Sequence, residues 1–253
     1  MRAIVVGAGI GGLAATLSLR RAGVEVTLVE QTARFTEVGA GIQLAPNATR
    51  ELRRLDVLDA VADQAARPAH VSFRTWSDGS EICRYALGRE AEEEFGAPYL
   101  VVHRADLHGA MAAAVPRESV RLNTTVVAIG QDDDHAQVMT ATGERLTADL
   151  VVAADGIRSA ARQWLFGKDE TVFSGTVAYR ALLPAEEVAG LGLPHSPSGS
   201  ARTTTSSTTG CGAVNYSTWW PCSARASWPR SRGPLGRNPA SNCASSPAGT
   251  PEC

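Results

Sequence analysis

"RAIVVGAGIGGLAATLSLRRAGVEVTLVE", residues 2–30, decides the fold. Residues 2–6 (RAIVV) are a short apolar run, the pattern of a strand buried in a parallel sheet. Residues 13–23 carry apolar side chains at helical spacing and end on Gly23, a residue suited to stopping a helix. Residues 24–30 alternate and are rich in Val, so they read as a second strand. Strand, helix and strand within thirty residues make a βαβ unit. Gly7, Gly9 and Gly12 stand at GxGxxG spacing between the first strand and the helix. The first glycine permits a tight turn, the second lets a pyrophosphate approach the backbone, and the third lets helix and strand pack closely. The helix N-terminus then faces the anion. Glu30 closes the second strand, 18 residues beyond Gly12. A carboxylate there accepts hydrogen bonds from a ribose diol and repels a 2′-phosphate, which excludes NADP as the tightly held dinucleotide. The motif by itself does not separate FAD from NAD.

Outward from this unit the α/β pattern continues. Asn47 is placed to cap a helix over 48–56, and 57–65 reads as further helix. Residues 70–76 and 80–87 read as a hairpin about Asp78-Gly79. A strand at 98–103 leads into an Ala-rich helix over 104–115. Three β-like runs follow at 120–130, 135–142 and 144–154, with Thr142-Gly143 turning between the last two. Residues 157–167 read as a helix and 171–184 as one or two strands. The expected class is α/β: a Rossmann-like dinucleotide-binding domain over 1–69 and 97–170, interrupted by a partial β-rich domain from 70–96 and 171–195. His103 and His108, five residues apart, do not share a helical face, so no metal pair is expected from them.

Net charge is −2 and the apolar fraction 44%, which calls for neither nucleic acid nor an anionic membrane. No apolar run is long enough to span a bilayer, and the expectation is a cytoplasmic protein. The averages conceal a break at residue 196. Residues 196–253 hold Val214 and Leu235 as their only branched aliphatics, against twelve Ser and seven Thr. Four of the five cysteines lie there, without a CxxC or Cys/His metal spacing. That composition cannot bury enough apolar surface to offset chain entropy, so disorder is expected.

Two stretches separate the cofactors. "VVHRADLH" (101–108) puts Arg104 at a strand-to-helix junction, and "LVVAADGIRSAAR" (150–162) puts Asp155-Gly156 between a strand and a helix. With "EVGAGIQLAPNA" (37–48) and "FSGTVAYRALLP" (173–184), they resemble the group A FAD-dependent aromatic monooxygenases, in the salicylate hydroxylase and 3-hydroxybenzoate 6-hydroxylase branch. The resemblance covers residues 1 to about 194. It implies FAD as cofactor, with NAD(P)H as co-substrate. It also implies O₂ addition to the reduced flavin, with oxygen delivered from the hydroperoxide to a phenolic acid of the hydroxybenzoate or salicylate kind. It implies that Arg104 reaches the phosphate and ribitol region and that Asp155 and Gly156 contact the flavin chain. Gly39, Ala40, Gly41 and Gln43 would pass the flavin ring, and Tyr179 and Arg180 would lie on the substrate sheet. No catalytic residue is assigned; some relatives carry His where this chain has Gln43. Oligomeric state is not legible.

The family pattern continues past residue 194 with further strands, a GD motif that closes the flavin site, and a helical region, and none of these is read here. The expectation is a chain truncated or frameshifted near residue 196. Its 23 Arg and one Lys suggest a GC-rich gene. Joining each codon's last base to the next two permits family-like segments, in order, across 198–222, 230–234 and 241–251. Two alternatives stand beside the monooxygenase: a non-catalytic product with at most weak nucleotide binding, and an FAD or NAD oxidoreductase without hydroxylation.

Overall fold

A computed structural model describes residues 1–35, 41–74, 80–167 and 171–173, with the backbone of three further short strands between 206 and 218. In chain order the elements are β1 (Arg2–Val6), α1 (Ile10–Arg21), β2 (Glu25–Val29), β3 (Gly41–Leu44), α2 (Pro46–Arg54) and α3 (Leu58–Ala62). Next come β4 (His70–Arg74), β5 (Glu81–Ala86), α4 (Arg89–Phe95), β6 (Leu100–His103) and α5 (Arg104–Ala113). A single 3₁₀ turn (Arg117–Ser119) leads to β7 (Val120–Arg121), β8 (Val126–Gln131), β9 (Ala136–Thr140), β10 (Arg145–Ala148), β11 (Leu150–Ala153) and α6 (Ala160–Phe166). The last three strands are β12 (Ser206–Thr209), β13 (Gly212–Val214) and β14 (Ser217–Thr218).

A parallel sheet of order β11-β1-β2-β7 is the centre. Alternation along β1 sends Ala3 and Val5 to one face and Ile4 and Val6 to the other. Val5 and Leu28 pack with Leu13 and Leu17 of α1 and Leu107 and Met111 of α5. Ile4, Val6 and Val29 pack on Val138 and Ala148 of the antiparallel β10-β9-β8 meander. The central sheet is therefore covered by helices on one face and by a second sheet on the other. Helix α1 ends as its sequence requires. Gly23 takes φ +77, its N–H bonds to Arg20 O at 2.9 Å, and the Val24 N–H bonds to Leu19 O at 3.0 Å. This is the paired C-terminal arrangement that a left-handed glycine permits.

Several expectations change. Helix α2 begins on Pro46 with Ala45 as N-cap, and Asn47 lies inside its first turn instead of capping it. Proline's fixed φ and missing N–H suit that first position. The run 120–130 breaks into β7 and β8, because Asn123 turns the chain at φ +53. The run 144–154 likewise divides at Asp149, β10 joining the meander and β11 the parallel sheet. Helix α4, a highly charged segment with only Ala91 buried, falls inside the stretch read as β-rich.

The β4–β5 hairpin forms as expected, in a sheet of order β14-β12-β13-β4-β5 separate from the parallel one; its tip, 75–79, lies outside the described residues. Of 196–253, the described part is the backbone of the short strands β12, β13 and β14. The rest of 196–253, and 174–195, lies outside the described residues.

Two features of this core generate predictions. Thr16 of α1 is fully buried, and its hydroxyl has no hydrogen-bond partner among the described residues. An unpaired buried hydroxyl costs about 1 kcal/mol or more. Thr16→Val is therefore expected to raise the melting temperature by roughly 2–4 °C; calorimetry checks it. At the β10–β11 junction, Asp149 Oδ2 accepts the Arg2 N–H at 2.7 Å, and the Asp149 N–H donates to Arg2 O at 3.0 Å. The Arg2 amide is the main cause that holds the Asp149 carboxyl below its ordinary value. A depressed folded-state pKa gives stability that is complete above the unfolded value and is lost as pH falls through the folded one. Asp149→Asn should accordingly melt lower at neutral pH, and its melting temperature should fall less steeply than that of the parent between about pH 5 and about pH 2.

Candidate functional site

The site begins where β1 stops. Gly7 takes φ +95 and donates its N–H to Val29 O at 2.8 Å, which ties the turn to the end of β2. A Cβ on Gly7 would lie 2.5 Å from Ala154 O, and one on Gly12 would lie 1.8 Å from Gly7 O. At Gly9 the same atom would meet nothing within 4 Å. Two glycines are therefore required by the protein's own packing, and the third leaves open space. Gly9 is also the N-cap of α1, without a side-chain cap and without an acid in the first turn. That helix end presents N–H groups and a partial positive charge.

Beside the turn opens a cleft of about 240 Å³. Gly7, Gly9, Glu30, Asp155 and Gly156 line it, all from the sequence-derived set, together with Val6, Val29, Gln31, Thr124, Val126 and Ala154. The Glu30 carboxylate accepts the Ala8 N–H at 2.8 Å through Oε2, and the Thr32 N–H (2.9 Å) and Thr32 hydroxyl (3.0 Å) through Oε1. Asp155 Oδ2 accepts from the Ala160 and Ala161 N–H groups at 2.8 and 3.2 Å, holding the start of α6. Gly156 turns the chain at φ +78. Parallel pairing of Val6 with Ala153 is what brings the Asp155 loop against the glycine turn.

The other candidates stand on a second platform, the antiparallel pair β3–β6. Gly41 is in register with His103 and Gln43 with Val101, and Gln43 Oε1 accepts the Tyr99 hydroxyl at 2.9 Å. Arg104 opens α5, capped by His103, whose Nδ1 accepts the Ala105 N–H at 3.3 Å. None of Gly41, Gln43 and Arg104 lines the cleft. Gly39, Ala40, Tyr179 and Arg180 lie outside the described residues.

Sequence reasoning missed His108. It is 4% exposed, its Nε2 is 2.7 Å from Ala8 O, and its ring meets Phe35 edge-on at 5.6 Å. The available signal was its spacing of four from Arg104, one turn along the same helical face. Thr124 and Val126 were read only as members of a strand.

The geometry fits an adenine dinucleotide: an uncapped helix end, an open backbone at Gly9 and a carboxylate across the cleft. Residues 1–182 match the family model described as FAD binding domain. The chain is 38% identical over 183 residues to 6-hydroxynicotinate 3-monooxygenase of Bordetella bronchiseptica, a match spanning 72% of this chain and 48% of that protein. It is 39% identical over 191 residues to 3-hydroxybenzoate 6-hydroxylase of Klebsiella oxytoca, spanning 74% and 48%. Among solved structures, Klebsiella pneumoniae HpxO complexed with FAD and uric acid is similar at TM-score 0.69 and 27% identity, over 83% of this chain and 51% of that one. The chain spans about half the length of the curated relatives it matches.

The three glycines should separate by experiment. Gly12→Ala forces its Cβ into a backbone oxygen, and its melting temperature should drop by the equivalent of about 1–3 kcal/mol or more. Gly9→Ala meets no protein atom, so it should cost about 1 kcal/mol or less in stability while weakening dinucleotide binding at least tenfold. Thermal melts with titration of the bound dinucleotide check both.

Proposed function

The chain belongs to the FAD-binding domain family of the FAD-dependent aromatic monooxygenases, and on that premise we propose that the protein binds FAD and hydroxylates a phenolic aromatic acid of the hydroxybenzoate or salicylate kind. NAD(P)H and O₂ are the co-substrates of this reading. The single observation that carries it is the glycine turn, wedged between β1, α1 and Ala154 with Glu30 in the same cleft.

Each residue has a defined part. The α1 N-terminus and the open backbone at Gly9 receive the diphosphate, and Gly7 and Gly12 let helix and strand close behind it. The Glu30 carboxylate accepts a ribose hydroxyl and disfavours a 2′-phosphate, which selects FAD over NADP as resident group. Arg104 supplies a fixed cation toward the diphosphate. Asp155 and Gly156 bound the cleft on the α6 side, while Gly41 and Gln43 form the strand along the ring. When bound, FAD supplies the redox chemistry that activates O₂ with reducing equivalents from NAD(P)H. The protein contributes positioning and exclusion of water.

Residues 1–69 and 97–170 form the FAD-binding domain in this proposal, with 70–96 and 171–195 assigned to the substrate domain and Tyr179 and Arg180 as its candidate substrate residues. Among the described residues no helix is long and apolar enough to cross a membrane; a cytoplasmic location is part of the proposal.

Purified 253-residue protein mixed with FAD is expected to retain flavin at one equivalent after gel filtration, read from its visible spectrum. Hydroxybenzoates are expected to stimulate NADH or NADPH oxidation, with a hydroxylated product detected by mass spectrometry. NAD(P)H oxidation that yields only hydrogen peroxide would sink the hydroxylase reading in favour of a plain oxidoreductase. Failure to retain FAD would sink the cofactor reading.

A further inference from the structure

The peptide groups of the glycine turn are held from two sides, by residues that the sequence places far apart. The Ala8 N–H donates to Glu30 Oε2 at 2.8 Å, and Ala8 O lies 2.7 Å from His108 Nε2. A carbonyl oxygen only accepts, so the proton of that second bond is on Nε2. Each peptide unit is planar and trans, with its C=O and N–H pointing to opposite sides. Fixing the Ala8 N–H therefore fixes the Gly7 carbonyl, the oxygen against which Gly12 packs. Fixing Ala8 O fixes the direction of the Gly9 N–H, which must point away from His108, and Gly9 lines the cleft. His108 is 4% exposed and its ring packs T-shaped with Phe35, which confines the donor.

We infer that His108 is a positioning residue for the cofactor: its bond to Ala8 O sets the Gly9 N–H toward the FAD diphosphate and locks the β3–β6–α5 platform to the glycine turn. This rests on the reading that the cleft binds FAD. Arg104 opens α5 and His108 stands four residues later, so one helix face carries both the cation and the backbone clamp. The platform holding Gly41, Gln43 and Arg104 shares a packed core with the turn, and His108 adds a directed hydrogen bond to it.

Glutamine and asparagine separate the bond from the ring. The Gln amide nitrogen reaches where Nε2 stands, and the shorter Asn amide stops near Nδ1. In the full chain, His108→Asn should raise the FAD dissociation constant at least tenfold, and His108→Gln should stay within about threefold of the parent. The Gly9 amide resonance in FAD-free protein should move in His108→Asn and hold its place in His108→Gln. Circular dichroism melts show that both variants are folded at the temperature of measurement.

Parent-like FAD affinity in His108→Asn overturns the inference, as does equal weakening in folded His108→Gln, which would assign the effect to ring packing. If the parent chain takes up no FAD, the cofactor reading fails and its part of this inference with it. The Gly9 resonance still decides the backbone clamp: its displacement by Asn alone upholds the clamp, and an unmoved resonance overturns it.

Discussion

The constraint on which the rest depends is the absence of a side chain at Gly12. A Cβ there would fall 1.8 Å from Gly7 O, so helix α1 lies as close to the end of β1 as backbone atoms permit. Gly7 is pressed in turn against Ala154 O. Three segments, from positions 7, 12 and 154, thus converge on one point, with the Ala154 methyl beside it. That contact sets the height of α1 over the sheet, hence which of its residues reach the core, and Leu13 and Leu17 follow. It also places the carboxyl ends of β1, β2 and β11 side by side, the edge at which parallel α/β sheets take ligands.

The parts legible in the sequence were those governed by local rules. The continuous burial of β1, the left-handed stop at Gly23 and the spacing of Gly7, Gly9 and Gly12 each follow from the residues themselves. The failures come from competition with something distant. Asn47 is a good cap in isolation, but Pro46 takes the first helical position and moves the start back. The run at 144–154 has one continuous β pattern, yet Asp149 is bound at both its backbone and its carboxylate by Arg2, and the strand changes sheets there. Helix α4 has almost no buried face, so hydrophobic periodicity could not reveal it.

The candidate site divides the same way. Gly7, Gly9, Glu30, Asp155 and Gly156 announced themselves through a motif and meet in one cleft. Gly41, Gln43 and Arg104 are gathered on the β3–β6–α5 platform, and the distance between the two groups is spanned by packing in the shared core and by His108. A histidine whose partner is a backbone carbonyl a hundred residues away shows in the sequence only its spacing of four from Arg104, which does not name that partner. Single-sequence reasoning finds groups that face a ligand more readily than groups that face the backbone holding it.

Glu30 shows why the two kinds cannot be sorted into separate residues. An ionised carboxylate offers about four lone-pair directions. Three hydrogen bonds already reach Glu30, from the Ala8 and Thr32 amides and the Thr32 hydroxyl. A ribose hydroxyl can add to that set without displacing any member. Binding of the proposed cofactor would then cost no internal bond, and the side chain would lose no further rotamer freedom on meeting it. Such preorganisation lowers the ordering cost of binding. The Thr32 bonds hold the carboxylate and the Ala8 bond fixes the Gly7–Ala8 peptide, so the residue that greets the ribose also shapes the turn that receives the phosphate.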